Sequence, residues 1–364
     1  MWESDPFRLR DPARAEKLSR ALAQLAPKRP VKIVHVCGTH EAAIAESGLR
    51  ALLPKRVEIY EGPGCPVCVT STADINLAVK LALEVGVILC TFGDMLRVPG
   101  TELTLEEAKA EGADVRVVLS AADAVRTARE NPHREVVFFA VGFETTAPGT
   151  AAVLLDRPPD NFSVLCSHKL IPPALEALLR ENTEVDGFLA PGHVSTVIGA
   201  DAYQELADKF HVPVVVGGFE PLDILYAIAL VLKQLREGRA EVENAYPRAV
   251  RPGGNARAKE LMDEAFQVMD ASWRGIGTIP ASGLGIRAEL SRFDARKRFA
   301  IQAAPGEEEP PGCLCPDVIM AKAVPTDCPL FGTACTPLSP VGPCMVGTEG
   351  ACSIWYRYGE RPRL

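Results

Sequence analysis

Eight short apolar runs between residues 31 and 216 constrain the fold of this chain more than any other feature. The runs lie at residues 31–36, 57–60, 87–91, 115–119, 136–141, 162–166, 187–190 and 214–216. Stretches with helical patterns separate them, as at 74–84, 121–130, 172–180, 202–209 and 221–236. A strand followed by a helix, repeated along the chain, is typical of parallel, doubly wound sheets. The sequence therefore predicts an α/β fold.

The length of 364 residues and the number of strands favour a division into domains. Eight strands exceed one small sheet, so the division is placed at the polar turn near Asn131. This predicts a first α/β domain at residues 1–131 and a second at 132–240. After about Glu241 the alternation stops, and a helix predicted at 256–269 is followed by segments rich in glycine and proline. Residues 241–364 are therefore predicted to form a C-terminal domain.

Three cysteines follow the first two predicted strands. Cys37 comes directly after the first run, and Cys65 and Cys68 lie in a loop that follows the second. Because the carboxyl ends of parallel strands form one crevice, we expect these thiols to converge. The Cys-x-x-Cys spacing allows a disulfide or a shared metal, and helix-forming residues from near Thr72 favour thiolate through the helix dipole.

Buried structural cysteines are the alternative interpretation of Cys65 and Cys68, since a free cysteine behaves as a small hydrophobic residue. Two glycines and two prolines lie at residues 62–66. A buried pair does not need such an unusual backbone around it. The surrounding residues therefore favour a thiol site.

Several polar side chains follow the same strand ends. Thr39, His40 and Glu41 come after Cys37, and Asp94 comes after the third run. They offer a proton donor and acceptors around a thiol. The alternative is that Cys37 is a lone cysteine beside a helix cap at Thr39, and that Asp94 caps or complements a helix N-terminus. Glu144 and Glu220, which also follow predicted strands, have the same alternative.

The C-terminal stretch contains nine prolines between Pro305 and Pro343 and six of the eleven cysteines, Cys313, Cys315, Cys328, Cys335, Cys344 and Cys352. A proline-rich segment forms little regular structure and needs another stabilising element, which a metal centre supplies. The last four cysteines are separated by six, eight and seven residues. Zinc sites usually offer paired Cys-x-x-Cys knuckles, which are missing here, so a 4Fe-4S cluster on these four thiols fits better. Cys313 and Cys315 are alternates or further redox thiols.

Charge and hydropathy exclude some classes of binding partner. The net charge of -8 and the pI near 5.4 argue against nucleic acid or an anionic membrane as a partner. No apolar run is long enough to cross a bilayer, and Met1 to Asp5 lack a signal pattern. The protein is therefore expected in the cytoplasm, where eleven cysteines indicate redox or metal chemistry.

Six sequence blocks, in order, resemble the signature blocks of the HypD family of hydrogenase maturation factors. They are Cys37-Gly-Thr-His-Glu41, Gly62-Pro-Gly-Cys-Pro-Val-Cys68, Thr91-Phe-Gly-Asp-Met95, Gly142-Phe-Glu-Thr-Thr-Ala-Pro148, Pro191-Gly-His-Val-Ser195 and Gly218-Phe-Glu-Pro221. The tail is similar to the same family at 327–332, 336–337, 343–346 and 349–352. The resemblance covers nearly the whole chain.

The resemblance implies a cytosolic scaffold for the iron centre of nickel-iron hydrogenases, with two α/β domains and a third domain that carries a 4Fe-4S cluster. It also implies a complex with the small chaperone HypC. Cyanide would be delivered by HypE from a thiocyanate on its terminal cysteine.

The chemistry of cyanide transfer assigns roles to the thiols. Release of cyanide from a thiocyanate takes two electrons, which Cys65 and Cys68 can give as they become a disulfide, and a nearby cluster can restore the dithiol. Cys37 would ligate the mononuclear iron that carries cyanide and carbonyl, together with a thiolate of the partner. His40, Glu41 and Asp94 would position or protonate groups around it.

Two other interpretations compete with the scaffold. One is a thiol-disulfide reductase, in which the cluster feeds electrons to Cys65 and Cys68 and no mononuclear iron is bound. The other is a binding module stapled by structural zinc.

Overall fold

The computed structural model of the protein describes residues 10–181, 184–301 and 310–359. The strands in these ranges are β1 (Val31–His35), β2 (Val57–Glu61), β3 (Ile88–Thr91), β4 (Val115–Val117), β5 (Val136–Gly142), β6 (Phe162–His168), β7 (Gly187–Pro191), β8 (Val214–Gly217), β9 (Val242–Asn244), β10 (Phe266–Trp273) and β11 (Gly277–Ile286). The first eight strands confirm the eight predicted runs. Met1 to Asp5, where the sequence lacks a signal pattern, lie outside the described residues.

Helices connect most of these strands. They are α1 (Pro12–Leu25), α2 (Gly38–Glu46), α3 (Thr72–Lys80), α4 (Leu105–Ala110), α5 (Ala121–Glu130), α6 (Ala147–Leu155), α7 (Ile171–Arg180), α8 (Gly192–Ile198), α9 (Gln204–Phe210), α10 (Pro221–Glu237), α11 (Ala256–Ala265), α12 (Ala295–Arg298), α13 (Cys315–Ile319) and α14 (Ala351–Tyr358). Local sequence explains several of their ends. Asp11 caps α1 by accepting the N–H of Ala13 at 2.9 Å, and Pro12 begins the helix.

A five-stranded parallel sheet has the order β2-β1-β7-β8-β9. Counted within the sheet, this is the doubly wound order 2-1-3-4-5, whose direction of winding reverses between β1 and β7. Ligands bind beyond the carboxyl ends of the strands at such a reversal. Cys37 follows β1, and α8 begins directly after β7, so Cys37 lies at this position.

A four-stranded parallel sheet has the order β4-β3-β5-β6 and reverses between β3 and β5. Asp94 and Glu144 follow these two strands. All seven residues of β5 are buried, as expected for a central strand that is covered on both faces. The two sheets confirm the α/β class.

The predicted boundary at residue 131 does not separate the two sheets. β1 pairs with β7, where Ile33 lies opposite Gly187, while β3 to β6 form the other sheet. The chain thus leaves the five-stranded sheet after β2, completes the four-stranded sheet and returns at β7. The prediction fails because β1 pairs with β7 across the insertion that contains β3 to β6. The alternation of strands and helices in the sequence does not show which strands pair.

The predicted helix at 256–269 is too long. α11 ends at Ala265, and Phe266 has extended backbone angles, φ -122° and ψ 158°. The residues that follow belong to β10, which pairs antiparallel with β11, so that Val268 lies opposite Leu284. This pairing overrides the helical pattern of the local sequence.

The part of 241–364 that the structure describes is spread over the molecule, and a separate C-terminal iron-sulfur domain is not confirmed. β9 extends the five-stranded sheet, and Phe266 of the β10–β11 hairpin packs in the core of the four-stranded sheet. Cys344 and Met345 share a core with Val34 of one sheet and Leu89 of the other. Within the described ranges, no helix combines the length and the apolar content that a membrane crossing requires.

Candidate thiol and metal site

Cys37 lies between β1 and α2, and only 8% of its surface is exposed. Gly64 packs so closely on this residue that a Cβ at position 64 would overlap the Cys37 backbone nitrogen. The loop that carries Cys65 and Cys68 therefore rests directly on the loop that carries Cys37. The two loops are in contact, as the predicted convergence of their thiols requires.

Burial raises the pKa of the Cys37 thiol to about 11, and the charge of Glu349 raises it further. Backbone N–H groups of His40 and Thr39 act in the opposite direction, but burial outweighs them. The thiol is therefore protonated at neutral pH. A bound cation would stabilise the thiolate and displace this proton.

Cys65 and Cys68 are joined by a disulfide, with their Cα atoms 5.3 Å apart. Both residues are buried, and the backbone N–H of Cys68 donates to the Cys65 Sγ at 3.1 Å. The pair precedes α3, which Ser71 caps by accepting the N–H of Asp74. Its position ahead of a helix is the one that the sequence predicts. That the pair cycles between disulfide and dithiol stays a prediction.

The disulfide faces the cysteine-rich C-terminal segment. The Cys68 Sγ lies 4.0 Å from the carbonyl oxygen of Pro343. One small cavity is lined by both cysteines of the disulfide, by Glu61 and by Cys344. The disulfide and a C-terminal thiol therefore line the same cavity.

Five C-terminal thiols lie near one another, Cys313, Cys315, Cys335, Cys344 and Cys352. Thiol hydrogen bonds join Cys315, Cys344 and Cys352, and they lower the pKa of Cys352 while raising that of Cys344. Gly342 makes room for the group, because a Cβ there would come within 2.6 Å of the sulfurs of Cys313 and Cys315. The backbone N–H of Val341 donates to the Cys335 sulfur at 3.3 Å.

Cys328, the first of the four predicted cluster ligands, contacts the backbone directly before Cys313. Its sulfur is 3.9 Å from the carbonyl oxygen of Gly312. Among residues 10–181, 184–301 and 310–359, no group of three or more His, Cys, Asp or Glu side chains is arranged to hold a metal ion. The chemistry of the donors nevertheless fits an iron-sulfur cluster, which requires thiolates at close range.

Glu41 occupies a buried network that joins α2 to α14. Trp355 donates its Nε1–H to one carboxylate oxygen at 2.6 Å, while Arg50 and His35 bind the other at 2.7 Å each. Burial would raise the pKa of Glu41, but Arg50 and His35 outweigh it and hold that pKa well below its usual range. Both oxygens are thus occupied, which supports an anchoring role more than the predicted role in proton transfer.

His40 is buried behind Cys37 and is neutral. Its Nε2–H donates to the carbonyl oxygen of Gly218 at 2.9 Å, and its ring lies against Phe219 with centroids 4.8 Å apart. Burial lowers the pKa of His40 to about 3, and the neighbouring His35 contributes. A neutral ring held by a carbonyl oxygen orients the end of β8 against α2.

Asp94 is exposed and lies beside the C-terminal segment, where a Cβ at Gly347 would be 3.2 Å from its Oδ2. Glu349, which the sequence analysis did not include among the site residues, accepts a hydrogen bond from the Thr39 hydroxyl at 3.3 Å. Glu349 packs against Gly38 so tightly that a Cβ there would overlap it. Its place in the tail block 349–352 was the only signal that could have found it.

A larger cavity of about 370 Å³ lies away from these thiols, between the end of β6 and the β10–β11 hairpin. Its wall contains Asp74, which pairs with Arg296 at 2.5 Å and accepts the hydroxyl of Ser167 at 2.6 Å. These charged groups satisfy one another within the wall. The candidate site is therefore placed at the thiols.

Comparison with known proteins gives one consistent result. A family model named HypD, described as the hydrogenase formation hypA family, matches residues 13–359. The hydrogenase maturation factor HypD of Azotobacter vinelandii is 47% identical, over 97% of this chain and 96% of the relative. The HypD proteins of Cupriavidus necator and Escherichia coli K12 are 45% and 46% identical, over 93% and 92% of this chain and 92% and 91% of their own lengths.

Proposed function

The chain belongs to the HypD family of hydrogenase maturation factors, and we propose from this premise that it is a cytoplasmic scaffold for assembly of the iron centre of nickel-iron hydrogenases. In this proposal it holds the iron together with a small chaperone of the HypC type and receives cyanide from a donor of the HypE type. The observation that supports the proposal is the packing of Gly64 on Cys37, because it brings the loop of a lone thiol against the loop of the Cys65–Cys68 disulfide.

Cys37 is the protein's own iron ligand in this proposal. Low-spin ferrous iron that carries cyanide and carbonyl requires soft donors, and Cys37 supplies one thiolate while the chaperone supplies another. Because the Cys37 thiol is protonated at neutral pH, iron must displace its proton. The carboxyl groups of Glu349, which is hydrogen-bonded to Thr39, and of Asp94, which lies beside Gly347, can accept this proton.

Cys65 and Cys68 supply the two electrons that release cyanide. When they are a dithiol, their oxidation forms the S–S bond, and two electrons pass to the donor thiocyanate, whose S–C bond breaks. The products are the donor thiol, cyanide and the Cys65–Cys68 disulfide, and the two thiol protons pass to the leaving groups or to solvent. A further reduction must regenerate the dithiol.

The C-terminal thiols are the proposed ligands of a 4Fe-4S cluster. Cys335, Cys344 and Cys352 would hold three of its iron atoms; spacing points to Cys328 as the fourth ligand, whereas the thiol contacts point to Cys315. When bound, such a cluster supplies single electrons. Cys344 also lines the cavity beside the disulfide, which connects these thiols with the redox pair.

Infrared spectroscopy of protein purified without air, together with its chaperone partner, tests the proposal. We expect absorption bands of iron-bound cyanide and carbonyl and an iron content above that of the cluster. The competing function is a cluster-dependent thiol-disulfide reductase, which the disulfide at Cys65 and Cys68 favours. A reductase would show neither kind of band and would reduce a protein disulfide instead.

A further inference from the structure

Glu61 is a buried carboxyl group to which the proposed function assigns no role. It is the last residue of β2, only 8% of its surface is exposed, and its Oε2 has no hydrogen-bond partner among the described residues. It lines the same cavity as Cys65 and Cys68. The cavity offers about 10 Å³ to the centre of a water molecule, which is room for about one water.

The remaining wall of this cavity offers little that can exchange a proton. Besides Glu61 and the disulfide, it consists of the Cys344 thiol and of glycine, proline, valine, isoleucine and alanine residues. Glu61 is therefore the one carboxyl among the described residues that line it. A thiolate released here would be buried in an apolar wall, where an unpaired charge is costly.

The charges around Glu61 favour its neutral form. Burial raises the pKa of Glu61 well above its usual range, and Glu41 and Glu349 raise it further, while Arg50 opposes them. His35, which lies opposite Glu61 on β1, is bound to Glu41. Burial and the neighbouring carboxylates thus favour the protonated form of Glu61 beside the Cys65–Cys68 pair.

We propose that Glu61 is the internal proton donor and acceptor of the Cys65–Cys68 pair, either directly or through one water in the shared cavity. Reduction of the disulfide breaks the S–S bond and consumes two electrons and two protons. Glu61 gives one proton to the first sulfur released, solvent gives the other, and solvent then reprotonates Glu61. Oxidation reverses these steps: Glu61 first releases its proton to solvent and then accepts one of the two protons of the pair, while solvent takes the other. This inference rests on the proposed function only in requiring that the pair cycle.

The test follows oxidation of the pair without any partner or cyanide donor. The full chain is reduced with a phosphine under anaerobic conditions, the phosphine is removed, and diamide is added over a range of pH. Diamide accepts two electrons and two protons as it becomes a hydrazine, which completes the balance. Alkylation at timed intervals, followed by mass spectrometry of the peptide that contains Cys65 and Cys68, measures disulfide formation at this pair alone.

We expect Glu61→Gln to slow oxidation about 100-fold near neutral pH, as loss of an acid-base group does. The difference should vanish at alkaline pH, where hydroxide ionises the thiols. Glu61→Asp retains a carboxyl group on a shorter side chain, so its rate should fall between the two.

Glu144→Gln is the matched control. Glu144 is also buried, and its Oε2 likewise has no hydrogen-bond partner in the part of the chain that the structure describes, but it does not line this cavity. The control should oxidise at the wild-type rate.

The inference is overturned if Glu61→Gln reacts at the wild-type rate at every pH, or if Glu144→Gln is slowed equally. Should Glu61→Gln not fold, a wild-type rate in Glu61→Asp at every pH overturns it as well. Because the assay contains neither the chaperone partner nor a cyanide donor, such a result leaves the proposed scaffold function intact.

Discussion

Three buried glutamates show how partners decide the state of one residue type. Glu41 is ionised because Arg50 and His35 outweigh its burial. Glu61 and Glu144 are buried without a cation of comparable effect, and burial raises the pKa of both, that of Glu144 to about 7. One oxygen of Glu144 accepts the N–H of Ile171, the first residue of α7, at 2.9 Å. Glu144 thus supports the N-terminus of α7 and does not cap α6, the helix that follows it in the chain.

Replacement of Glu144 by Gln should change the pH dependence of stability. The folded-state pKa of Glu144 lies above its unfolded value of 4.5, so its contribution to stability is fully present below that value and is lost as pH rises through about 7. Gln retains the acceptor for Ile171 and does not titrate. Glu144→Gln should therefore gain stability over the wild type as pH rises, by up to roughly 3 kcal/mol between about pH 5 and pH 8.

Urea unfolding of both proteins at a series of pH values measures this gap. A gap that stays constant with pH, or that widens on acidification, would contradict the assigned burial of Glu144.

The residue types around Cys37 were predictable from sequence, but their roles were not. Glu41 was selected because it lies close to Cys37 in the chain. The partner that defines its role is Trp355, 314 positions away. Glu349 was not predicted as a site residue, because it is distant in the chain and only the packing of the tail on Gly38 brings it close to Cys37.

At the scale of elements, the site depends on the close contact of two strand-end loops. Gly64 has no room for a side chain against the Cys37 backbone, so Gly64→Ala must separate the loop of the redox pair from the loop of Cys37. We expect this variant to be less stable than the wild type and to lose the iron bound at Cys37, while the arrangement of its C-terminal thiols is unchanged. Thermal unfolding and iron analysis of the complex with its chaperone measure both effects.

Gly149→Ala is the control for that prediction. Gly149 lies inside α6 with open space around a Cβ, and alanine favours a helix interior over glycine by about 0.5–1 kcal/mol. This variant should be as stable as the wild type or more stable, with unchanged iron. A Gly64→Ala protein that behaves like Gly149→Ala would show that the loop contact is not required.

The C-terminal segment supplies a second prediction at this scale. Each of the variants Cys335→Ser, Cys344→Ser and Cys352→Ser should lose the cluster absorbance, because one soft ligand is removed. The C-terminal segment should also become less ordered, since its proline-rich chain has little regular structure without the cluster. Elemental analysis and absorbance after anaerobic purification measure this. The same pair of measurements on Cys315→Ser and Cys328→Ser identifies the fourth ligand. Stoichiometric zinc without iron or sulfide would contradict the cluster itself.

In the complete fold, the four-stranded sheet is inserted in the sequence between β2 and β7 of the five-stranded sheet. Strand positions were predictable because each apolar run is short and is bounded by turn residues. Strand partners were not, because the residues of β1 carry no signal that selects β7, which lies more than a hundred residues away. Cys344 of the tail shares a core with Val34 of one sheet and Leu89 of the other.

The central claim is that Cys37 anchors the iron on which the ligands are assembled, and the Cys37→Ser variant tests it most directly. Wild type and variant are each purified without air together with the chaperone partner, and the infrared bands and the cluster absorbance are recorded on the same samples. Serine exchanges a soft donor for a hard one that ionises poorly at neutral pH. If Cys37 is the anchor, the cyanide and carbonyl bands vanish in the variant while the cluster absorbance remains. Bands that persist at full intensity in Cys37→Ser would contradict it and would move the iron to another thiol.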